Sequence, residues 1–240
     1  MQVFSDTNIG LSRSENQDRV RTAILSDDVA FAVICDGMGG ENAGSEASEK
    51  AIGVIYDRIT KVYRRDYDSK AVKNLMLSAI TTANAVVFDV AWLNSEKQGM
   101  GTTCVAALKI GNTVHVVSVG DSRAYYVSNE INQITKDHTM VMKMYENGEI
   151  SKEELKNHPH RNYITKAVGV SEQVMPDYFE VELPENSAVI LCSDGLSNYC
   201  DEPDIYAAVK SKETEEICTD LIKTALSNGG SDNITVALIK

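Results

Sequence analysis

Twice in this chain an apolar run ends in an acid followed at once by glycine: FAVICDGMGG at 31–40 and VILCSDGLSN at 189–198. The residues before Asp36 and Asp194 have the β-branched, apolar character of buried strands. A lone Asp-Gly is ordinarily a turn. Here both dipeptides follow buried strands, so their carboxylates emerge at a sheet edge. Two further acids repeat the pattern: Asp121 ends the apolar run of VVSVGDSRAYY, and Asp232 opens the last strand in GGSDNITVAL.

Acids at the ends of neighbouring buried strands lie close together, and close carboxylates do not stay ionised without a compensating cation. A site built only of carboxylate, carbonyl and water oxygens selects hard divalent ions, Mg²⁺ or Mn²⁺, over zinc. Glycine after each acid lets the backbone approach, so that its carbonyl joins the shell and the metals have room. Two such ions about 3.5–4 Å apart hydrolyse phosphate esters. Arg13, in GLSRSENQDR near the first long strand, is the candidate phosphate grip, because a guanidinium forks onto a phosphate with two hydrogen bonds.

Strands are expected at 29–35, 103–109, 113–119, 123–128, 187–192 and 233–239, bounded by turn pairs such as Gly111-Asn112 and Ser128-Asn129. Residues 113–119 read as a sheet packed on both faces. Helical spacing marks 43–60, 71–93 and a C-terminal helix carrying Ile217, Leu221, Ile222 and Ala225. Helices that come as a pair between strand groups argue against a doubly wound fold and for antiparallel sheets covered by helices, an α+β layered protein. Residues 1–240 read as a single domain, with an irregular, polar flap at about 137–175.

The net charge of −12 disfavours nucleic acid and anionic membrane as partners. The N-terminus has neither the basic start nor the apolar core of a signal peptide. No apolar stretch reads as a membrane span of about 20 residues. Five cysteines without Cys-x-x-Cys spacing fit a reducing, cytoplasmic compartment. Cys35 and Cys192 read as buried thiols and His115 as packing. His138 either faces the site or is structural, and His158 and His160 lie on the flap surface.

Other phosphate chemistries fail on spacing. No cysteine is followed six residues on by arginine, and neither Asp36 nor Asp194 is followed two residues on by a second aspartate. GGENAGS at 39–45 places Ser45 where a phosphate-binding loop needs lysine.

The ordered motifs RSENQD, CDGMGGENAGSEAS, GTTCVAAL, VSVGDSRAYYV, ITKDHTM, ITKAVGV, CSDGLSN and SDNITV resemble the metal-dependent type 2C protein Ser/Thr phosphatases in their compact bacterial form, over about residues 5–239. The resemblance implies a four-layer α-β-β-α sandwich of two antiparallel sheets flanked by helix pairs. It implies that Asp36 bridges two metals, with the Gly37 carbonyl as a further ligand. Asp194 and Asp232 complete the first site, and Asp121 with Asp194 holds a third ion. Arg13 binds the substrate phosphate and, with Asp36, forms the catalytic pair. A water bridging two Mg²⁺ or Mn²⁺ ions attacks phosphorus without a covalent intermediate. The implied partners are phosphorylated proteins, including a Ser/Thr kinase and its substrates, and the enzyme is expected to be a monomer. Alternatives are a small phosphate-ester hydrolase, or a regulatory module on the same fold. Two departures stand out. Gln17 replaces a glutamate common in the family, lowering the charge near the second metal. Met38 replaces the histidine proposed as general acid in eukaryotic members.

Overall fold

The computed structural model describes residues 1–39, 43–155 and 158–240. Part of the GGENAGS stretch and two residues of the flap therefore lie outside the described residues. Two antiparallel sheets stack face to face. One has the order β1 (Val3–Asn8), β11 (Ile234–Ile239), β10 (Ala188–Cys192), β7 (Arg123–Val127), β8 (Ile131–Gln133). The other runs β2 (Asp18–Ser26), β3 (Val29–Met38), β5 (Cys104–Ile110), β6 (Thr113–Val119), β9 (Asp177–Glu182), with the short β4 (Gly101–Thr102) extending the end of β3. Helices α1 (Ala43–Val62) and α2 (Ser69–Leu93) cover the second sheet, and α5 (Glu202–Ser211) and α6 (Ile217–Ser227) cover the first.

Strand alternation builds three cores. On β3, Phe31, Val33 and Cys35 meet Ile52, Ile55, Met76 and Ile80 of the helices. Ala30, Ala32 and Ile34 point the other way, against Val189, Leu191, Ala237 and Ile239 of the facing sheet. The third core joins Ile190, Val236 and Leu238 to Ile205, Leu221 and Ala225. A strand buried on both faces needs an unbroken apolar run, which is why β3 and β10 show no polar alternation. The expected four-layer α-β-β-α arrangement is observed.

β10 stops at Cys192, at the expected limit, and Asp194 opens a short helix, α4 (Asp194–Ser197). Asp232 lies two residues before β11. Helix α2 is long and apolar enough to cross a membrane by length and composition. Its Val72, Leu75, Met76, Ala79, Ile80 and Val87 are instead buried in the helix–sheet core, so the apolar content belongs to packing. Among its described residues the flap carries one helix, α3 (Met140–Glu146), and otherwise irregular backbone.

Candidate active site

The site lies at one end of the sandwich, where the inter-sheet layer runs out of apolar residues. Continuing the alternation of β3 past Ile34 places Asp36 in that layer. Its register partner on β2 is Asp18. Asp18 is 2% exposed; its Oδ2 accepts a 2.7 Å bond from Ser193 Oγ, which in turn accepts from the Thr235 amide at 3.0 Å. The Asp36 backbone is pinned on both sides. Its N–H donates to Thr103 Oγ1 (3.1 Å), and its carbonyl accepts from Thr102 Oγ1 and the Thr103 amide, both at 2.8 Å.

The glycines prove to serve backbone packing. A Cβ on Gly37 would lie 2.1 Å from the Gly44 carbonyl oxygen, and one on Gly195 would lie 1.9 Å from that of Asn233. The room expected beside each acid for a metal is filled by neighbouring chain. What the glycines secure is the close approach of α1 to the end of β3, and of α4 to the start of β11.

Asp18, Asp36, Asp121 and Asp194 converge beside Asp232, and the proton affinity of these four is raised. Burial, then the charges of Asp18, Asp194, Asp121 and Asp232, push the Asp36 carboxyl well above its ordinary range. Burial with Asp232 and Asp18 pushes Asp194 up to about 6, although bonds from Asp36 and Asn198 oppose the shift. Burial with Asp194 and Asp137 pushes Asp121 up to about 8. Burial also raises Asp18, against hydrogen bonds to Thr235, Ser193 and Asp36. Such mutual elevation marks carboxylates held together at close range.

Arg13 meets this cluster as a cation. Its Nε and Nη2 donate to Oδ1 and Oδ2 of Asp232, each at 2.8 Å. The nearby Arg123 is occupied by Asp137, to which Nε and Nη2 donate at 3.0 and 2.7 Å. A cavity of about 530 Å³ opens over Asp121, Asp194 and Asp232, bordered also by Asp137, Arg161 and Asn198.

The donor set suits a hard divalent ion. Among the described residues, the Oδ1 atoms of Asp18 and Asp121 are buried with no hydrogen-bond partner. A buried, orphaned carboxylate oxygen costs several kcal/mol unless a cation or proton answers it. As the side chains stand, no three His, Cys, Asp or Glu residues among those described close around one point. Asp232 is turned to Arg13, and a closed shell requires its release.

Arg13, Asp36, Asp121, Asp194 and Asp232 are thus brought to one place, with Gly37 beside them. Asp18 was missed as a site residue. It begins β2, a strand without a buried apolar run, and its place shows only in the register that sets it opposite Asp36. Gln17 lies next to it, its N–H donating to Asn233 Oδ1 at 2.8 Å and its carbonyl accepting from the Gly37 amide at 3.2 Å. His138 resolves to a structural position: Nδ1 accepts from the Gly120 amide at 3.1 Å, and Nε2 lies 3.2 Å from Asp177 Oδ2. His115 is buried against the Tyr178 hydroxyl at 2.7 Å, and His160 is exposed. All five cysteines are free and buried.

The protein phosphatase 2C family profile matches residues 12–235. The chain is 36% identical over 236 residues to the serine/threonine phosphatase Stp of Listeria monocytogenes, covering 98% of this chain and 93% of that protein. Serine/threonine phosphatase Stp1 from Staphylococcus aureus superposes with a TM-score of 0.91 at 34% identity, covering 100% of this chain and 95% of that one. The catalytic domain of the phosphatase PstP, solved with two manganese ions, superposes with a TM-score of 0.85 at 30% identity, covering 99% and 96%.

Proposed function

The chain belongs to the protein phosphatase 2C family of metal-dependent Ser/Thr protein phosphatases, and we propose that its catalysis runs at the Asp18–Asp36–Asp121–Asp194–Asp232 pocket with Arg13 as phosphate grip. One observation carries this reading: carboxylates from both sheets, far apart in sequence, raise one another's proton affinity at a single sandwich end.

In this reading Asp36, the Gly37 carbonyl, Asp194 and Asp232 would hold two ions, Mn²⁺ or Mg²⁺, and Asp121 with Asp194 would hold a third. Such ions would supply an acidified water and offset charge on the phosphoryl oxygens. The protein's own part is positioning. Thr102 and Thr103 fix the Asp36 backbone, and Ser193 fixes Asp18, the register partner of Asp36 on β2. Arg13 already presents to Asp232 the two-pronged geometry that a phosphate accepts. Met38 has no proton to give, so the departing seryl or threonyl oxygen takes one from water or from another group. The substrates are cytoplasmic phosphoproteins, among them a Ser/Thr kinase and its targets.

The test is hydrolysis of a phosphothreonine peptide and of a panel of phosphorylated metabolites, with Mn²⁺, Mg²⁺ or EDTA. Metal-dependent turnover of the peptide well above the metabolites is expected. Turnover that survives EDTA, or a preference for a metabolite, refutes the reading.

A further inference from the structure

We propose that the groove beside Met38 is a subsite for an apolar side chain two residues away from the phosphorylated residue of the protein substrate. The inference rests on the reading of the carboxylate pocket as the place of phosphate hydrolysis.

The groove encloses about 320 Å³ and is walled chiefly by Met38, Ile164, Ala167, Val170, Val174 and Met175. Its position relative to the chemistry is fixed by β3. Asp36 and Met38 are two residues apart on one strand, and the pairing register is unbroken, Ile34 with Val105, Gly37 with Thr102 and Met38 with Gly101. Residues i and i+2 of a strand share a face at about 7 Å spacing. The far wall is tied to the same point: the Val168 amide donates to the Thr102 carbonyl at 2.8 Å, the Thr102 amide to the Val168 carbonyl at 3.0 Å, and Thr102 Oγ1 to the Asp36 carbonyl. A groove wall and a metal-site backbone joined through one threonine move as one unit.

A substrate backbone that crosses this end in extended form repeats the same spacing. With its phosphorylated side chain at Asp36, the side chain two positions away faces the groove. The lining chemistry selects what fits there. Among the described residues no acid lines the groove, although the protein carries a net charge of −12. Lys166, the one lysine among the described lining residues, places its ammonium 3.1 Å from Asp177 and 3.0 Å from His138, so its charge is already partnered. Val170 and Met175 are nevertheless exposed at 45% and 76%. Exposed apolar side chains gathered around a concavity mark a contact surface, and methionine adapts to differently shaped apolar guests. The occupant is the substrate's own flanking chain, because the groove continues directly from the strand that carries the catalytic carboxylate. Met38, which offers no acid–base chemistry, thereby acquires a role in recognition.

The experiment measures kcat/KM of the Mn²⁺-loaded full chain on phosphothreonine peptides identical except for Ala, Leu or Glu at positions −2 and +2, with para-nitrophenyl phosphate as a substrate lacking flanks. Leucine is expected to exceed alanine about tenfold at one of the two positions, the discrimination typical of a partly enclosed apolar pocket, with glutamate below both. Met175→Glu and Val170→Glu are expected to bring the leucine-to-alanine ratio towards one while para-nitrophenyl phosphate turnover stays within about twofold of the parent. A ratio near one in the parent, or a ratio preserved in both variants, overturns the subsite. Absence of Mn²⁺-dependent turnover on every substrate, para-nitrophenyl phosphate included, brings down the reading of the carboxylate pocket and the subsite with it.

Discussion

Replacing Asp194 by asparagine is expected to stabilise the metal-free protein while abolishing turnover. The carboxyl of Asp194 is pushed from an ordinary 3.8 to about 6 in the folded state, by burial and by the charges of Asp232 and Asp18. That rise of about two pH units makes the ionised side chain cost the fold on the order of 3 kcal/mol. The sign follows from proton linkage. Below pH 3.8 the group is protonated whether folded or unfolded and costs nothing. As pH rises through 6 the folded state must ionise it against its neighbours, and stability is lost. Asparagine keeps the shape, escapes ionisation and can still pair with Asn198. In EDTA at pH 8, Asp194→Asn should therefore melt about 6–12 °C above the parent, using about 2–4 °C per kcal/mol for a chain of this size. At pH 4 the gap should shrink below about 1 kcal/mol. Excess Mn²⁺ should narrow it from the other side, because ligand binding to the folded state raises the parent more. Calorimetric melts at the two pH values, with phosphopeptide turnover on the same preparations, supply the readout. A melting gap that does not change with pH, or a variant that still hydrolyses phosphopeptide, would refute the claim that Asp194 belongs to a crowded metal-binding carboxylate set.

Two other substitutions probe the grip and the scaffold. Arg13→Ala should raise KM for phosphopeptide more than it lowers kcat, since its exposed guanidinium contacts Asp232 and no core residue; an unchanged KM in steady-state assays would count against a phosphate-binding role. Gly195→Ala should destabilise the protein by about 3 kcal/mol, an overpacking cost, because its methyl would fall 1.9 Å from the Asn233 carbonyl; a urea midpoint equal to the parent's would show that α4 and the start of β11 separate freely.

Much of the architecture was readable because it rests on period. Residues 113–119 and the helices near 43–60 and 71–93 declare themselves through unbroken spacing, and the structure places them within a few residues of those limits. The unread parts lack that signal. Strand β9 is an edge strand whose DYFEVE alternates without an apolar run, and β1, VFSDTN, is equally polar. Both owe their existence to pairing, β1 with β11 and β9 with β6. The site divides in the same way. Asp36 and Asp194 were visible because each interrupts an apolar run. Asp18 begins its strand amid polar residues, and only the register that sets it opposite Asp36 reveals it. The purpose of Gly37 and Gly195 was likewise out of reach, since the Gly44 and Asn233 carbonyls that crowd them are distant in sequence or belong to another element.

Charge accounting then constrains what the pocket can hold. Asp18, Asp36, Asp121, Asp194 and Asp232 bring five negative charges when ionised, and Arg13 is the cation in direct contact with them through Asp232. Arg123 does not enter the sum, because Asp137 already cancels it. The remainder, four negative charges in a half-buried space, must be met by protons or by cations. Protons are the answer that the raised Asp121 and Asp194 express in the absence of metal. Two divalent ions would supply the same four charges at neutral pH without protonating a ligand. A fold that holds Asp36 at the end of the doubly buried β3, with Asp18 opposite it in register, cannot relieve their repulsion by moving them apart. The metal requirement is therefore a consequence of the sandwich itself, set by which strand ends meet and not by any one motif.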